Sequence, residues 1–391
     1  MWLANFASSR DAGNGLLASV GRIPVWLWAF LAHEGLLVWA YRAPFPKAPH
    51  RYLAANQNFY WLGHFWFQWD SLWYTAIGRY GYAHLPGVPP GSGTVFFPWL
   101  PVVIHVTGMW GAWGLTQGAL ALSLWLLERF FRRLPLTLGE ASLAVWLFAL
   151  NPAAIYYSTL YAEPWTVALG LVSIELGSRR RWGLAALAGL LTATTQATGV
   201  LVGWFPLIAF GSRVKQGQWK SALGPLAWGG GGFLGIAGYA LYLGLRFHHP
   251  FWFASREHTV WGAAWNWPWV QWYQAVGDLV VNRHLILLRA AIWAAVTLFV
   301  LAGALMLRFL VRRDNETVAA SWYGITGLAI ALSFTHPAWP LYSTLRIVSV
   351  TFPLYAGIAR LPRWFVLCVL VGSAWLAFDG ARLFTHGWWY Q

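Results

Sequence analysis

Charge is scarce in this sequence, and so is cysteine. Only 10% of the 391 residues are charged, whereas 58% are hydrophobic, and the chain has one cysteine. A single cysteine, Cys368, excludes an intramolecular disulfide framework and a thiolate metal site. The low charge and a mean hydropathy of +0.50 exclude an ordinary water-soluble domain, so lipid is the expected solvent for most of the chain.

Acidic residues are much rarer than basic ones. There are 12 of the former against 26 of the latter, for a net charge of +14. In a soluble protein such an excess would favour nucleic acid, but here the positive charges form short clusters between apolar runs. Loops on the cytoplasmic side of a membrane carry such clusters. We therefore expect membrane lipid, and no nucleic acid, as a partner.

Apolar runs long enough to cross a bilayer recur along the whole chain. Only helices and closed barrels satisfy the backbone in hydrocarbon, and these runs lack the alternation of barrel strands. The sequence therefore predicts an all-α polytopic membrane protein in which residues 1–391 form a single membrane-embedded domain. About eleven transmembrane helices are expected, near 23–41, 114–131, 138–157, 163–178, 183–196, 198–212, 222–245, 284–310, 318–335, 345–360 and 363–384.

A cytoplasmic N-terminus places every short basic cluster on the cytoplasmic side. These clusters are Arg10 and Arg22; Arg129, Arg132 and Arg133; Arg179, Arg180 and Arg181; Arg213, Lys215 and Lys220; Arg308, Arg312 and Arg313; and Arg360 and Arg363. The assignment requires 96–112 to be interfacial, and Pro98 and Pro101 favour a short element there. Two long outer loops result, about 42–113 and 246–283, and such loops are usually functional.

Two residue spacings predict packing inside the bundle. Gly231 and Gly235 are four residues apart, which favours close approach of a second helix. Glu175 lies four residues before Arg179, which favours an ion pair within one helix. Both are structural predictions.

The first outer loop holds a single carboxylate, Asp70, among aromatic residues. A helix from Ser71 to about Arg79 is predicted there, lying in the interface. Asp70 would then cap that helix, and capping with a contact between Trp69 and Tyr74 needs no catalysis to explain it. The alternative is that Asp70 acts as a general base at the membrane surface.

Two later segments extend this pattern, Phe96-Phe97-Pro98-Trp99-Leu100-Pro101 and the stretch 151–163, which reads NPAAIYYSTLYAE. In this order the three segments resemble the PIG-V family of GPI mannosyltransferase II and its bacterial relatives, with WD-x-x-WY-x-x-I-x-x-x-GY, FFP-x-x-P and NP-x-x-x-x-x-S-x-x-Y-x-E. Arg346 and the ending 384–389 are similar to later family segments. The resemblance covers nearly the whole chain and is strongest over 69–163.

The resemblance implies a GT-C glycosyltransferase, a multi-helix membrane enzyme that takes mannose from polyprenyl-phosphate mannose with inversion. The acceptor would be a lipid-linked or extracytoplasmic glycan, and a bacterial relative would place the site on the outer face of the plasma membrane. By position, Asp70 and Glu163 match the acidic residues expected at a GT-C active site, so we predict both as catalytic. No cofactor is certain, and a divalent metal is open because some GT-C relatives require one.

Substrate-binding residues follow from the needs of such a transfer, which are a base for the acceptor hydroxyl and cations for the departing phosphate. Arginine binds phosphate bidentately, and outer aromatic rings can stack on sugar or prenyl groups. Relatives often carry a basic residue in the turn after the fifth helix, where this chain has Gln196. The predicted substrate-binding residues are Arg346, Arg79, Arg256, Trp69, Trp73, Tyr74, Phe97 and Gln196.

Two rival functions share part of this evidence. The same fold could use glucose, arabinose or aminoarabinose on the same type of carrier. A lipid-linked-sugar flippase or transporter would show paired repeats with broken helices, and no such repeat is visible in the sequence. A metal site is a further alternative at His248, His249 and His258 near Glu257, but their spacing matches no standard zinc motif, so no metal ligand is predicted.

Overall fold

The computed structural model describes residues 24–281, 286–312, 314–336, 340–341 and 343–390. Across these residues the chain is mainly helical and has almost no sheet, as predicted for an all-α protein. Its one sheet is a short antiparallel pair, β1 (Ala264–Trp265) with β2 (Phe334–Thr335). Arg10, Arg22 and Arg313 of the predicted basic clusters lie outside the described residues.

The described residues form seventeen helical segments, eight of them in the first half of the chain, where turns and the long loop before Trp99 join them. They are α1 (Val25–Arg42), α2 (His50–Asn56), α3 (Asp70–Tyr80), α4 (Trp99–Arg133), α5 (Leu138–Ala149), α6 (Ile155–Ser158), α7 (Glu163–Ser178) and α8 (Trp182–Ala193). Short 3-10 turns at Tyr60–Leu62 and Ser92–Val95 lie within the loop segments.

The second half adds nine helices and a 3-10 segment, Ala197–Gly203. These helices are α9 (Trp204–Lys215), α10 (Trp219–Phe247), α11 (Trp252–Thr259), α12 (Pro268–Val281), α13 (Ile286–Leu307), α14 (Asn315–Ser333), α15 (Thr344–Ser349), α16 (Pro353–Ala359) and α17 (Arg363–Thr385).

In the part of the chain that the structure describes, four helical segments are long and apolar enough to cross a membrane. They are Ala197–Lys215, Trp219–Phe247, Leu287–Leu307 and Arg363–Thr385. Two other apolar helices, α5 and α8, have 12 residues each, which gives ~18 Å at ~1.5 Å per residue, against ~30 Å of hydrocarbon. The chain is therefore consistent with a membrane protein, but the predicted count of eleven spans is not confirmed.

Two predicted spans are each divided into a pair of helices. Over 138–157, α5 ends at Ala149 and α6 begins at Ile155, with Pro152 in the intervening turn. Over 345–360, α15 ends at Ser349 and α16 begins at Pro353. Proline has no amide hydrogen to donate and therefore begins helices more readily than it continues them.

The α4 range, Trp99–Arg133, consists of two helices that meet at a kink at Gly108, where φ is 72° and ψ is 171°. The part before the kink is a short helix of its own, as predicted over 96–112, and the part after it covers the predicted span 114–131. Glycine adopts this left-handed backbone without the steric cost of a Cβ. Pro98 precedes the helix and Pro101 lies in its first turn, where a missing amide costs no internal hydrogen bond.

Arginines of α4 and of the end of α7 meet acidic residues of α7 and α14 at one end of the bundle. Glu175 near the end of α7 pairs with Arg129 and Arg133 of α4, and Arg133 Nε also lies 2.8 Å from Glu316 Oε1 at the start of α14. Arg179 also pairs with Glu175, which confirms the predicted pair within one helix. We call this region the basic end.

The predicted close packing at Gly231 and Gly235 is confirmed. A Cβ added to Gly231 would lie 1.9 Å from the carbonyl oxygen of Ala186, and one added to Gly235 would lie 2.5 Å from that of Leu190. The backbones of α8 and α10 therefore approach to a distance that only glycine allows at these positions.

The loop before Trp99 has its own apolar core. Phe59, Phe67, Leu72 and Phe96 are all buried there, and this cluster continues onto α10 at Tyr239. Side chains packed in this way have few alternative positions, so α3 is held rigidly against the bundle.

Candidate active site

Helix α3 presents Asp70 at its first residue. The preceding residue, Trp69, has a φ of 55°, which is uncommon for a residue other than glycine and marks a constrained position. No side chain caps this helix. The capping interpretation of Asp70 is therefore wrong, because its Oδ2 accepts a hydrogen bond from Arg346 Nη1 instead.

Arg346 lies in α15 and contacts two carboxylates. Its Nη1 pairs with Asp70, and its Nε lies 3.3 Å from Glu163 Oε1. The guanidinium carbon is also 5.5 Å and 5.8 Å from the ring centroids of Tyr161 and Tyr156, within reach of a cation–π contact. One cation thus connects segments that are far apart in the sequence.

Glu163 begins α7 and is only 4% exposed. One of its oxygens, Oε2, has no hydrogen-bond partner among the described residues. Buried polar atoms in native proteins nearly always have a partner in the protein or in ordered water. Since Glu163 lines a cavity, that oxygen is available to a water molecule or a substrate group.

The segment 151–163 is hydrogen bonded to the Asp70 region. The amide of Asp70 donates to the Tyr161 hydroxyl over 3.1 Å, and the Ser71 and Thr159 hydroxyls are 3.0 Å apart. Farther along, Trp113 Nε1 donates to the carbonyl oxygen of Ser158 over 2.8 Å. Two of the segments that carry the family resemblance therefore pack together.

The C-terminal segment closes the same region from the other side. Trp69 Nε1 donates to the carbonyl oxygen of Trp388 over 3.1 Å, and Trp388 Nε1 donates to that of Pro46 over 2.7 Å. Ala48 donates its amide to the carbonyl oxygen of His386 over 2.8 Å. The tail after α17 thus fixes the position of the residue that precedes Asp70.

A cavity of about 220 Å³ lies against the charged residues. At ~30 Å³ for each water molecule, it holds several waters or a group about as large as one sugar. The residues that line it are Asp70, Tyr74, Val95, Phe96, Phe97, Tyr161, Glu163, Gln196, Ala197, Thr198, Phe253, Ala254, Glu257, Trp261, Trp265, Ile330, Phe334, Ser343, Arg346 and Ile347. Its walls are mainly aromatic and aliphatic, with the charged groups on one part of the surface.

Six of the ten predicted site residues line this cavity: Asp70, Glu163, Arg346, Tyr74, Phe97 and Gln196. Tyr74 and Phe97 are almost fully buried and contribute ring surface. Gln196 lies just before the 3-10 segment Ala197–Gly203 and contributes an uncharged amide to the cavity wall.

The two other predicted arginines lie elsewhere. Arg79 is exposed, with its guanidinium carbon 5.5 Å from the ring of Tyr80. Arg256 stacks on Trp252 at 4.6 Å and donates to the carbonyl oxygen of Pro90. Neither side chain lines the cavity, so neither supplies a phosphate-binding cation there.

The two predicted tryptophans, Trp69 and Trp73, do not line the cavity. Trp73 is buried behind the cavity wall and stacks on Phe96, with ring centroids 5.5 Å apart. Trp69 makes an edge contact with Trp389 at 4.9 Å, in addition to its bond to the C-terminal tail. These positions orient the wall and α3 rather than lining the cavity.

Glu257 was not among the predicted site residues, yet it lines the cavity. It lies on α11 four residues after Phe253, so the two share one face of the helix, and Trp261, four residues further on and just past the helix end, also lines the cavity. That spacing in the sequence is the signal that identifies it, whereas Arg256 points to another side. Burial raises the pKa of Glu257 to about 7, against the opposing influence of Arg346 and with a further rise from Asp70.

A preformed metal site is not found among the described residues, where no group of three His, Cys, Asp or Glu side chains is placed to hold an ion. Asp70 and Glu163 share the Arg346 guanidinium, which already supplies a positive charge between them. We assign no metal ligand.

The arrangement places the carboxylates of Asp70 and Glu163 and the guanidinium of Arg346 beside a mainly aromatic and aliphatic cavity. A carboxylate can accept a proton from a hydroxyl group, and a guanidinium can stabilise a developing anion. The site lies at the start of α7, whereas Glu175 near the end of that helix belongs to the basic end. At ~1.5 Å per residue, the site and the basic end are ~18 Å apart along α7.

No protein-family model matches the chain, and no curated protein matches it. The resemblance to the PIG-V family therefore stays a prediction from the sequence segments.

Proposed function

We propose that this protein is an inverting glycosyltransferase that moves mannose from polyprenyl-phosphate mannose to a lipid-linked or extracytoplasmic glycan. The observation that carries the proposal is Arg346, which bridges Asp70 and Glu163 at the wall of a cavity. Desolvated ion pairs usually stabilise a protein no better than apolar packing does. A charged cluster of this kind is better explained by chemistry, because such clusters concentrate at functional sites.

In this proposal Asp70 is the general base. Its carboxylate takes the proton from the acceptor hydroxyl while the acceptor oxygen forms a bond to the anomeric carbon of mannose. The bond from that carbon to the phosphate oxygen breaks, and the polyprenyl phosphate leaves with the electron pair. Attack and departure on opposite faces of the sugar give inversion.

Arg346 interacts first with the two carboxylates and then with the departing phosphate. Before the transfer its guanidinium balances Asp70 and Glu163. When Asp70 takes up the proton it becomes neutral, and the guanidinium is then free to stabilise the phosphate as that group gains charge. Glu163 keeps the guanidinium in place during this exchange.

The decisive test is donor turnover by the purified protein. Incubation in detergent with labelled polyprenyl-phosphate mannose and a crude lipid acceptor should transfer label to lipid. Asp70→Asn should lower the rate at least about a thousandfold, because amides are not bases at neutral pH. Asp379→Asn is the matched control, since Asp379 also pairs with an arginine but lies on α17, outside the cavity.

Three results would contradict the proposal. The first is full turnover by Asp70→Asn. The second is equal loss of turnover in Asp379→Asn. The third is movement of the labelled donor across vesicles without its consumption, which would favour a flippase. Turnover of polyprenyl-phosphate glucose or arabinose in place of mannose would keep the enzyme class and correct the sugar.

A further inference from the structure

A second charged cleft lies at the basic end, away from the candidate active site. It is formed where α13 ends and where α16 turns into α17. Arg308, Arg312 and Arg360 surround it, its apolar floor includes Leu305 and Phe309, and its volume is about 320 Å³. We call it the arginine cleft.

The three arginines of this cleft differ from their neighbours at the basic end. Arg129, Arg133 and Arg179 all pair with Glu175, whereas none of the three cleft arginines has a carboxylate within ion-pair distance in the described part of the chain. Arg312 and Arg360 both lie over the Phe309 ring, at 5.9 Å and 4.8 Å from its centroid. Gathering like charges around one ring is unfavourable unless an anion joins them.

An apolar groove begins next to the arginine cleft. It lies between α13 and α17, is lined by Ala294, Leu298, Phe365, Val369 and Gly372 among others, and has a volume of about 280 Å³. Leu298 in the groove and Leu305 in the cleft are ~10 Å apart along α13. At the other side, Phe365 in the first turn of α17 is three residues after Pro362, which borders the cleft.

The two helices that form the groove are expected to face lipid. Both are among the segments able to cross a membrane, Leu287–Leu307 and Arg363–Thr385. An apolar groove between them therefore opens toward hydrocarbon, while the arginines at their ends lie at the level of headgroups. Basic pockets between membrane helices bind anionic headgroups in this position.

We propose that the arginine cleft and the apolar groove together bind one anionic phospholipid. Its phosphate is held by Arg308, Arg312 and Arg360, and one acyl chain lies in the groove along α13 and α17. The inference rests on charge complementarity and on the short distance between the two cavities, ~10 Å along α13, which one phospholipid can span. It does not depend on the proposed transferase activity.

The test measures lipid binding to the purified full-length protein by native mass spectrometry. Phosphatidylglycerol and phosphatidylcholine with the same acyl chains are titrated separately, and inorganic phosphate is tested for its effect on thermal unfolding. The cleft variant is Arg308→Gln/Arg312→Gln/Arg360→Gln. Its control, Arg180→Gln/Arg213→Gln/Lys220→Gln, removes equal charge from another basic cleft at the same end.

A second pair of variants tests the groove. Gly372→Leu fills it, since no atom lies within 4 Å of an added Cβ, and Gly114→Leu makes the same change at an open position on α4. We expect wild-type protein, the charge control and Gly114→Leu to bind phosphatidylglycerol about equally. The cleft variant and Gly372→Leu should bind it at least about tenfold more weakly.

The alternatives give distinct results, each of which would overturn the proposal. Equal binding of both lipids would show a groove without charge recognition. Stabilisation by inorganic phosphate alone would identify a free anion as the ligand. If the charge control binds phosphatidylglycerol as weakly as the cleft variant does, the lipid is attracted to the basic end as a whole.

Discussion

At the scale of single residues, Arg346 determines the charge balance of the cavity. It is the one cation among the described lining residues, where Asp70, Glu163 and Glu257 are the acids. Its side chain is 21% exposed, and those of Asp70 and Glu163 are 13% and 5% exposed, so water screens the pairs only in part. The loss in free energy of unfolding when Asp70, Glu163 or Arg346 is replaced therefore depends on which charges remain unpaired.

Removing only the cation should destabilise the protein more than removing cation and base together. In Arg346→Gln, two poorly solvated carboxylates face each other, and we expect the free energy of unfolding to fall by about 3 kcal/mol. In Asp70→Asn/Arg346→Gln, one of those charges is gone, so much of the loss should be recovered. Thermal unfolding in detergent measures both.

The control for this comparison is Arg382→Gln. Arg382 pairs with Asp379 three residues earlier on one helix, and such a pair contributes only about 0.5 kcal/mol. Equal destabilisation by Arg382→Gln and Arg346→Gln, or no recovery in the double variant, would mean that the Asp70–Arg346 pair has no special role in stability.

Glu257 should make donor binding depend on pH near neutrality. Its pKa of about 7 means that the carboxyl is neutral below this pH and negative above it. A negative charge in the cavity repels an anionic donor, so the KM for the donor should rise as the pH increases from 6 to 8. In Glu257→Gln this rise in the KM should be clearly smaller over the same range, in steady-state assays.

Glu140→Gln is the matched control for this pH dependence. Glu140 caps the start of α5 and does not line the cavity, so this variant should keep the wild-type profile. An unchanged pH profile in Glu257→Gln would show that another group titrates.

At the scale of helices, the ends and breaks of helices, rather than their continuous middle parts, position the charged residues of the site. Asp70 and Glu163 each begin a helix, and Arg346 lies in a six-residue helix that follows Ser343, whose φ is 54°. Helix ends expose side chains and backbone groups that the middle of a helix would bury. The divided helices therefore bring the three charged side chains to one cavity.

The contact between α8 and α10 provides a test of helix packing. Gly231→Ala would place a Cβ 1.9 Å from the Ala186 carbonyl oxygen, so the helices must separate, and we expect a loss of about 2 kcal/mol. Gly230→Ala meets no atom within 4 Å and should be neutral or stabilise by up to about 1 kcal/mol. Equal melting temperatures for these two variants would contradict the packing.

At the scale of the whole molecule, the bundle has two chemically different ends. One carries the basic clusters and the arginine cleft, and the other carries the cavity with Asp70 and Glu163. Positive clusters favour the cytoplasmic side of a membrane. We therefore expect the cavity to face the outside.

Labelling of single cysteines tests this orientation. In a Cys368→Ala background, the exposed positions Lys220 and His249 are changed separately to cysteine. Treatment of intact cells with a membrane-impermeant maleimide should label His249→Cys and leave Lys220→Cys unlabelled until the membrane is permeabilised. The reverse pattern would place the cavity in the cytoplasm and contradict the proposed use of an outer donor.

Much of the site could be predicted because its charged residues belong to short sequence motifs. Asp70, Glu163 and Arg346 each belong to a short motif, and all three line the cavity. Arg79 and Arg256 could not be placed, because the direction of a side chain depends on how its helix packs. The sequence also favours a capping role for Asp70, because an N-cap is a local pattern, whereas the actual partner, Arg346, is distant in the chain.

Composition and hydrophobic runs alone determined that the chain is helical and suited to a membrane, because hydrocarbon leaves the backbone few other conformations. Glycine spacing alone also predicted a close helix contact at Gly231 and Gly235, since it follows the period of a helix, whereas the structure identified α8 as the partner. Only the tertiary structure decided where the helices break, that Arg346 bridges Asp70 and Glu163, and that Glu257 joins them. Those contacts are made between segments separated by tens to hundreds of residues, and no local pattern encodes such pairings.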